Sequence, residues 1–283
     1  MVAEPLLKTV PPILLLATRF TLAAILLAVA APKRVFPLTR NEVHAGFFAG
    51  IGFGVGSALL YLALPHVRAG KVTFLVALEV IIVPVVSALL YKQRLTRFEL
   101  GALVLAVLGL WLIAGDAEGA LSWWDIVGLL SAFAYALYTI SLSRLAISGS
   151  IVGSTFVSFC IISVLSLATS YLSESFESAR WSASGIKTLL YLATIGSVAR
   201  FLIQAWAQKT VSASFTALTF TAEPVFAIGL SYIFLGERFS ATQTCGAVVI
   251  IAALLIANAP RSKKVAATTS YFSPSPQERS NIS

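Results

Sequence analysis

The sequence predicts an all-α polytopic membrane protein of two inverted five-helix repeats, with about nine transmembrane helices in this 283-residue chain. Three observations lead there. The chain is 58% hydrophobic and 11% charged, with a mean hydropathy of +0.90, whereas a soluble domain carries about 25% charged residues. The apolar residues gather into nine runs near bilayer length. Lipid offers no partner for free backbone N–H and C=O groups, so each run must be helical. Finally, one spacing recurs. Glu79 and Glu223 each interrupt an apolar run and stand 144 positions apart. The same offset pairs Ile51 with Ile195, Gly52 with Gly196, Ala63 with Ala207, Val67 with Val211, Ala69 with Ala213, Ser87 with Ser231 and Arg94 with Arg238. Any one match is weak. One offset holding through two runs and the loop between them marks an internal duplication.

The runs are read in order. Run 12–31 follows Pro11-Pro12 and contains Arg19. Run 43–63 carries Gly50, Gly52, Gly54 and Gly56. In an apolar segment these are GxxxG-type steps that let helices approach closely. They lack the strand-then-helix context of a nucleotide loop. Run 70–91 holds Glu79 and Pro84, and run 99–115 follows it. Run 124–144 opens at Trp123-Trp124, a residue type expected at the membrane interface, and contains Tyr135 and Tyr138. Then come 150–172, 187–207 with Arg200 and Trp206, 212–235 with Glu223-Pro224, and 241–258. Pro, Gly or charge marks the short connections, as in Pro32-Lys33-Arg34 and Gly115-Asp116.

The offset pairs the second, third and fourth runs with the seventh, eighth and ninth, and the first with the sixth. The fifth has no mate. Residues 1–117 therefore read as a repeat lacking its first helix, and residues 118–259 as a second repeat. Residues 260–283, rich in Ser, Thr and Pro, read as a disordered tail. Mates stand five runs apart in order, an odd step, so the halves enter the membrane in opposite directions. Eleven Lys and Arg fall on one side and six on the other. The richer side is expected to be cytoplasmic, with the C-terminus inside, in a plasma or inner membrane.

The polar residues within the runs are the functional candidates. A carboxylate at the depth of Glu79 costs on the order of 2–3 kcal/mol in lipid, so it should face the protein interior and bind a proton or solute, or make one structural hydrogen bond. Glu223 precedes Pro224, which lacks an N–H and clashes with the carbonyl four back. Freed carbonyls beside a carboxylate suit a binding site or hinge, and Pro84 plays a similar part. Arg19 and Arg200 are expected to pair with a buried carboxylate or an anionic part of a substrate. Trp206, Tyr135 and Tyr138 are candidate cavity walls, with core packing as the plainer reading. His44 and His66 lack a third ligand, Cys160 and Cys245 form no CxxC, and no P-loop is present, so no metal and no cofactor are expected. The net charge of +8 is read as loop charge, not nucleic-acid binding, because no basic, aromatic-interleaved surface lies outside the runs.

Glu223-Pro224-Val225-Phe226-Ala227, then Leu235-Gly236-Glu237-Arg238 and Gly246 before an apolar run, resembles the EamA family of the drug/metabolite transporter superfamily. So does Pro11-Pro12 with Arg19-Phe20. The first-half copy, Leu90-Tyr91-Lys92-Gln93-Arg94-Leu95, lacks the usual Gly-Glu. The resemblance covers residues 11–258. It implies inverted five-helix halves, a central cavity and alternating access, in a family that moves amino acids, other metabolites or toxic compounds. The expectation is a non-enzymatic secondary transporter that exports a small metabolite such as an amino acid, with proton coupling through Glu79 and Glu223. Its partners would be a small-molecule substrate and the bilayer, with a homodimer as a further option. A nucleotide-sugar or sugar-phosphate exchanger is the rival within transport, and it needs several cavity-facing Lys or Arg. An intramembrane enzyme needs a catalytic constellation at membrane depth. A non-transporting membrane protein is the remaining alternative.

Overall fold

The computed structural model describes residues 6, 9–67, 69–91, 96–114, 122–145, 150–174, 179–235 and 240–257, and these contain helices and no strand. In chain order the principal helices are α1 (Pro12–Ala30), α2 (Arg40–Ala63), α3 (Ala69–Ala77), α4 (Glu79–Tyr91), α5 (Arg97–Ala114), α6 (Trp123–Leu145), α7 (Ile151–Ser173) and α8 (Ala183–Ala193). A π-helical segment, Thr194–Ala199, joins α8 to α9 (Arg200–Ala207). The chain ends in α10 (Ala213–Phe220), α11 (Ala222–Leu235) and α12 (Ala241–Ala257). Among the described residues, six helical rods are long and apolar enough to cross a membrane: α1, α2, α5, α6, α7 and the composite Ala183–Ala207. Phe74–Leu90 and α12 are shorter apolar helices. The protein is a polytopic membrane protein. The readings on Gly236-Glu237-Arg238, Lys92, Arg94 and the tail lie outside the described residues.

Carboxylates start the helices. α1 opens with Pro12, whose missing N–H would be unpaired in any case. The next two donors, the Ile13 and Leu14 N–H groups, each reach the Glu174 carboxylate at 2.8 Å. Glu174 caps the end of α7, so one anion closes the positive end of α1 and ties the two helices together. At α2, Thr39 and Glu42 form a reciprocal capping box, and the second oxygen of Glu42 accepts the Ser150 N–H at 2.9 Å. α5 starts with Thr96 and Glu99 paired in the same way, and α12 with Ser240 and Gln243. These last two boxes stand 144 residues apart, the offset that relates Glu79 to Glu223.

Small residues set the packing. Gly50 and Gly54 on α2 face α7, where added Cβ atoms would meet Ile161 at 2.7 Å and Leu165 at 2.9 Å. Gly52 and Gly56 face α6: a Cβ on Gly52 would lie 2.8 Å from the Tyr138 backbone nitrogen, and one on Gly56 3.0 Å from the Tyr135 ring. α2 thus presents one pair of glycines to each neighbour. α5 and α12 meet at Gly109 and Gly246, each backed against the other's carbonyl oxygen. Around α1, the rings of Phe20, Phe53, Phe159 and Phe201 interlock edge-to-face, with centroids 5.0–5.5 Å apart.

Three runs are interrupted; in two of them, the third and the eighth, Pro84 and Pro224 already suggest a kink. The third breaks at Leu78, whose N–H is shared between the Phe74 and Leu75 carbonyls at 3.2 Å each. The eighth breaks at Thr221, whose N–H and hydroxyl both turn back to Leu218 O, at 3.1 and 2.6 Å. Each break falls within two residues of a glutamate, Glu79 or Glu223. The seventh contains the π segment. Apart from Gln204, its buried residues, Gly185, Ala193, Ser197, Phe201 and Ala205, are spaced in multiples of four. In a regular helix each four-residue step drifts about 40° around the axis. A π segment absorbs one extra residue and brings the stripe back to a single face.

Candidate functional site

The two helix breaks and the first residue of α9 converge on one cavity of about 570 Å³. Glu79, Glu223 and Arg200 all line it, together with Tyr135, Tyr138 and Pro224. Glu79 is the first residue of α4, and the break before it points the carboxylate towards α6. There the Thr139 hydroxyl donates to Glu79 Oε1 at 2.6 Å. Glu223 sits in the first turn of α11 and is exposed; it also borders a shallow groove with Phe226 and Leu230. Arg200 opens α9 directly after the π segment, and its guanidinium carbon lies 5.8 Å from the centre of the Phe220 ring. The cavity thus holds two carboxylates and one guanidinium between walls of Phe53, Phe220, Tyr135 and Tyr138.

The tyrosine hydroxyls are tied back. Tyr135 shares a hydrogen bond with Ser57 Oγ at 2.9 Å, and Tyr138 donates to Gln204 Oε1 at 3.0 Å. Their ring faces remain for a ligand. The cavity reaches Leu60 near the end of α2, and Leu110 and Ile113 near the end of α5. Towards the opposite ends of the helices a buried cluster of Val83, Ala136, Ile140, Ala213 and Ala217 covers it.

The other sequence candidates lie elsewhere. Arg19 does not line the cavity. Its Nε donates to Ser197 Oγ at 2.7 Å and its terminal nitrogen to Gly196 O, so it spans from α1 to polar groups of the π segment. Trp206 is 69% exposed and faces away, because on α9 it falls about 200° from Gln204. Pro84 lies inside α4, beyond the cavity lining. Gly50, Gly52, Gly54 and Gly56 are packing positions. Among the described residues no three His, Cys, Asp or Glu side chains gather as metal ligands do.

Sequence reasoning missed Thr139, Phe53, Phe220, Gln204 and Gln208. Three of these had a signal. Tyr135, Tyr138 and Thr139 follow the i, i+3, i+4 pattern of a single helix face. Arg200, Gln204 and Gln208 recur every fourth residue in an otherwise apolar run.

Comparison with known proteins identifies a transporter family. The family model of the EamA-like transporter family matches residues 1–115 and again 122–259. A relative in Bacillus subtilis, the uncharacterized transporter YvbV, is 24% identical over 270 residues, covering 91% of this chain and 86% of its own length. A Salmonella typhimurium protein named as a probable amino-acid metabolite efflux pump is 27% identical over 267 residues, covering 88% and 86%. A solved crystal structure shares the fold, with a TM-score of 0.75 at 19% identity, covering 90% of each chain.

Proposed function

Because the chain belongs to the EamA-like transporter family, we propose that it is a secondary transporter exporting a small amphipathic metabolite, such as an amino acid, by alternating access. One observation carries this reading: Glu79, Glu223 and Arg200, far apart in sequence, line a single cavity at the broken centres of their helices. The volume of about 570 Å³ suits a small solute. A zwitterion would place its carboxylate at Arg200, its ammonium at Glu79 or Glu223, and its apolar part on the aromatic walls. A phosphate dianion would meet two carboxylates and one cation, so the cavity argues against a sugar-phosphate exchanger.

Two inverted repeats account for the shared offset. The matched capping boxes of α5 and α12 support this, as do the paired breaks before Glu79 and Glu223. With the Lys- and Arg-rich loops cytoplasmic, the open end at Leu60 and Ile113 faces outward, and the Val83–Ile140 cluster closes the cytoplasmic side. In this reading Glu79 carries the coupling proton, held meanwhile by Thr139.

The test is counterflow in proteoliposomes of the full chain, with radiolabelled amino acids offered singly. Uptake of at least one is expected. Arg200→Gln and Glu223→Gln should each lose about tenfold or more in apparent affinity, the equivalent of one charge-assisted hydrogen bond. Glu79→Gln should remove the pH dependence of flux. Variants that keep wild-type KM and pH response would sink the assignment.

A further inference from the structure

Two glutamines are not accounted for by the roles described so far, beyond the Tyr138 hydroxyl that Gln204 holds. Gln204 and Gln208 are 7% and 2% exposed, one and two helical turns beyond Arg200 on the same face of the rod. At 1.5 Å per residue they stand about 6 and 12 Å from Arg200, towards the α9–α10 end. Each is half-partnered. Gln204 Oε1 accepts the Tyr138 hydroxyl at 3.0 Å, but its Nε2 has no partner. Gln208 Nε2 donates to Thr139 O at 3.4 Å, while its Oε1 has none. Orphaned buried polar atoms are rare, and each calls for a cause. In a membrane helix Leu would fill either position without that cost.

The partners indicate the cause. Tyr138 and Thr139 both line the cavity, and Thr139 also holds Glu79. The polar row therefore begins at the cavity wall and leads towards the α9–α10 end, the end that the apolar cluster of Val83, Ile140 and Ala213 closes. We propose that Gln204 and Gln208 line the second half of the solute path, the one used when that cluster parts and the cavity opens towards the α9–α10 loop. Their free amide atoms are then the groups the solute meets on leaving Arg200. An uncharged amide both donates and accepts, so it can hand on either end of a zwitterion without a well deep enough to trap it, as fast passage requires. The inference rests on the transport reading of the cavity.

Accessibility tests it without requiring the substrate. Cys160 and Cys245 are replaced by Ser, Gln204→Cys or Gln208→Cys is introduced, and the full chain is reconstituted. A membrane-impermeant, negatively charged methanethiosulfonate is then added from each side. Both cysteines should react from the α9–α10 side, whereas Ile162→Cys, in the packed core, stays silent. In parallel, Gln204→Leu and Gln208→Leu should each lower Vmax for the amino acid found in counterflow; Gln208→Leu should leave KM unchanged, because its bond is to the Thr139 backbone oxygen, whereas Gln204→Leu also frees the Tyr138 hydroxyl and so carries no expectation for KM. Silence of both cysteines in protein that carries flux overturns the proposal, and so does wild-type Vmax in both Leu variants. If a Leu variant fails to fold, the labelling decides alone. Labelling from the expected side in protein that moves no amino acid would uphold the path and refute the substrate class.

Discussion

Gly52→Ala is the sharpest probe of how packing builds the cavity. The new Cβ would lie 2.8 Å from the Tyr138 nitrogen and 3.0 Å from both the Ala134 oxygen and the Tyr138 Cα. All three are backbone atoms, so no rotamer change relieves the contact. Ordinary carbon contacts begin near 3.5 Å, so α2 and α6 must separate by roughly 0.5–1 Å. Overpacking of this kind costs about 1–3 kcal/mol, partly offset by the gain of about 1 kcal/mol for Ala over Gly in a helix. Gly101→Ala on α5 is the matched control, since its Cβ would meet nothing within 4 Å and only the helix gain remains. Equilibrium unfolding in mixed detergent micelles should therefore place Gly52→Ala about 1–3 kcal/mol below Gly101→Ala. Because Tyr138 and Thr139 move with α6, the same variant should also raise KM in counterflow. Equal stability of the two variants, with flux unchanged, would refute the packing argument.

Two further substitutions test how the bundle is tied. Glu174→Ala leaves the Ile13 and Leu14 N–H groups without their carboxylate, and should lower stability by about 1.5–3 kcal/mol in the same unfolding assay. Lys71 pairs with the buried Asp125 at 2.9 Å and is itself 14% exposed. Lys71→Met strands that carboxylate on its Ser122 contacts and should cost about 2–3 kcal/mol, the lower end for a buried pair because water reaches the lysine. Adding Asp125→Asn should recover most of the loss; a double variant as unstable as the single one would show that the pair is not the cause.

The sequence alone settled the membrane class, because hydropathy and the need to satisfy backbone groups in lipid are properties of composition and local order. It also singled out Glu79, Glu223 and Arg200, since a charge in an apolar run is conspicuous wherever the chain folds. Its prolines, Pro84 and Pro224, suggested a kink in the third and eighth runs, but not where each breaks: Leu78 and Thr221 are unremarkable residues, and the breaks there follow from hydrogen bonds chosen in the folded state. Nor did it separate Arg200 from Arg19, or Tyr138 from Trp206. Which face a helical residue presents depends on the phase of the helix, and in the seventh run the π segment resets that phase. Residue type and depth are local facts; a shared cavity is a relation between helices, and only their packing decides it.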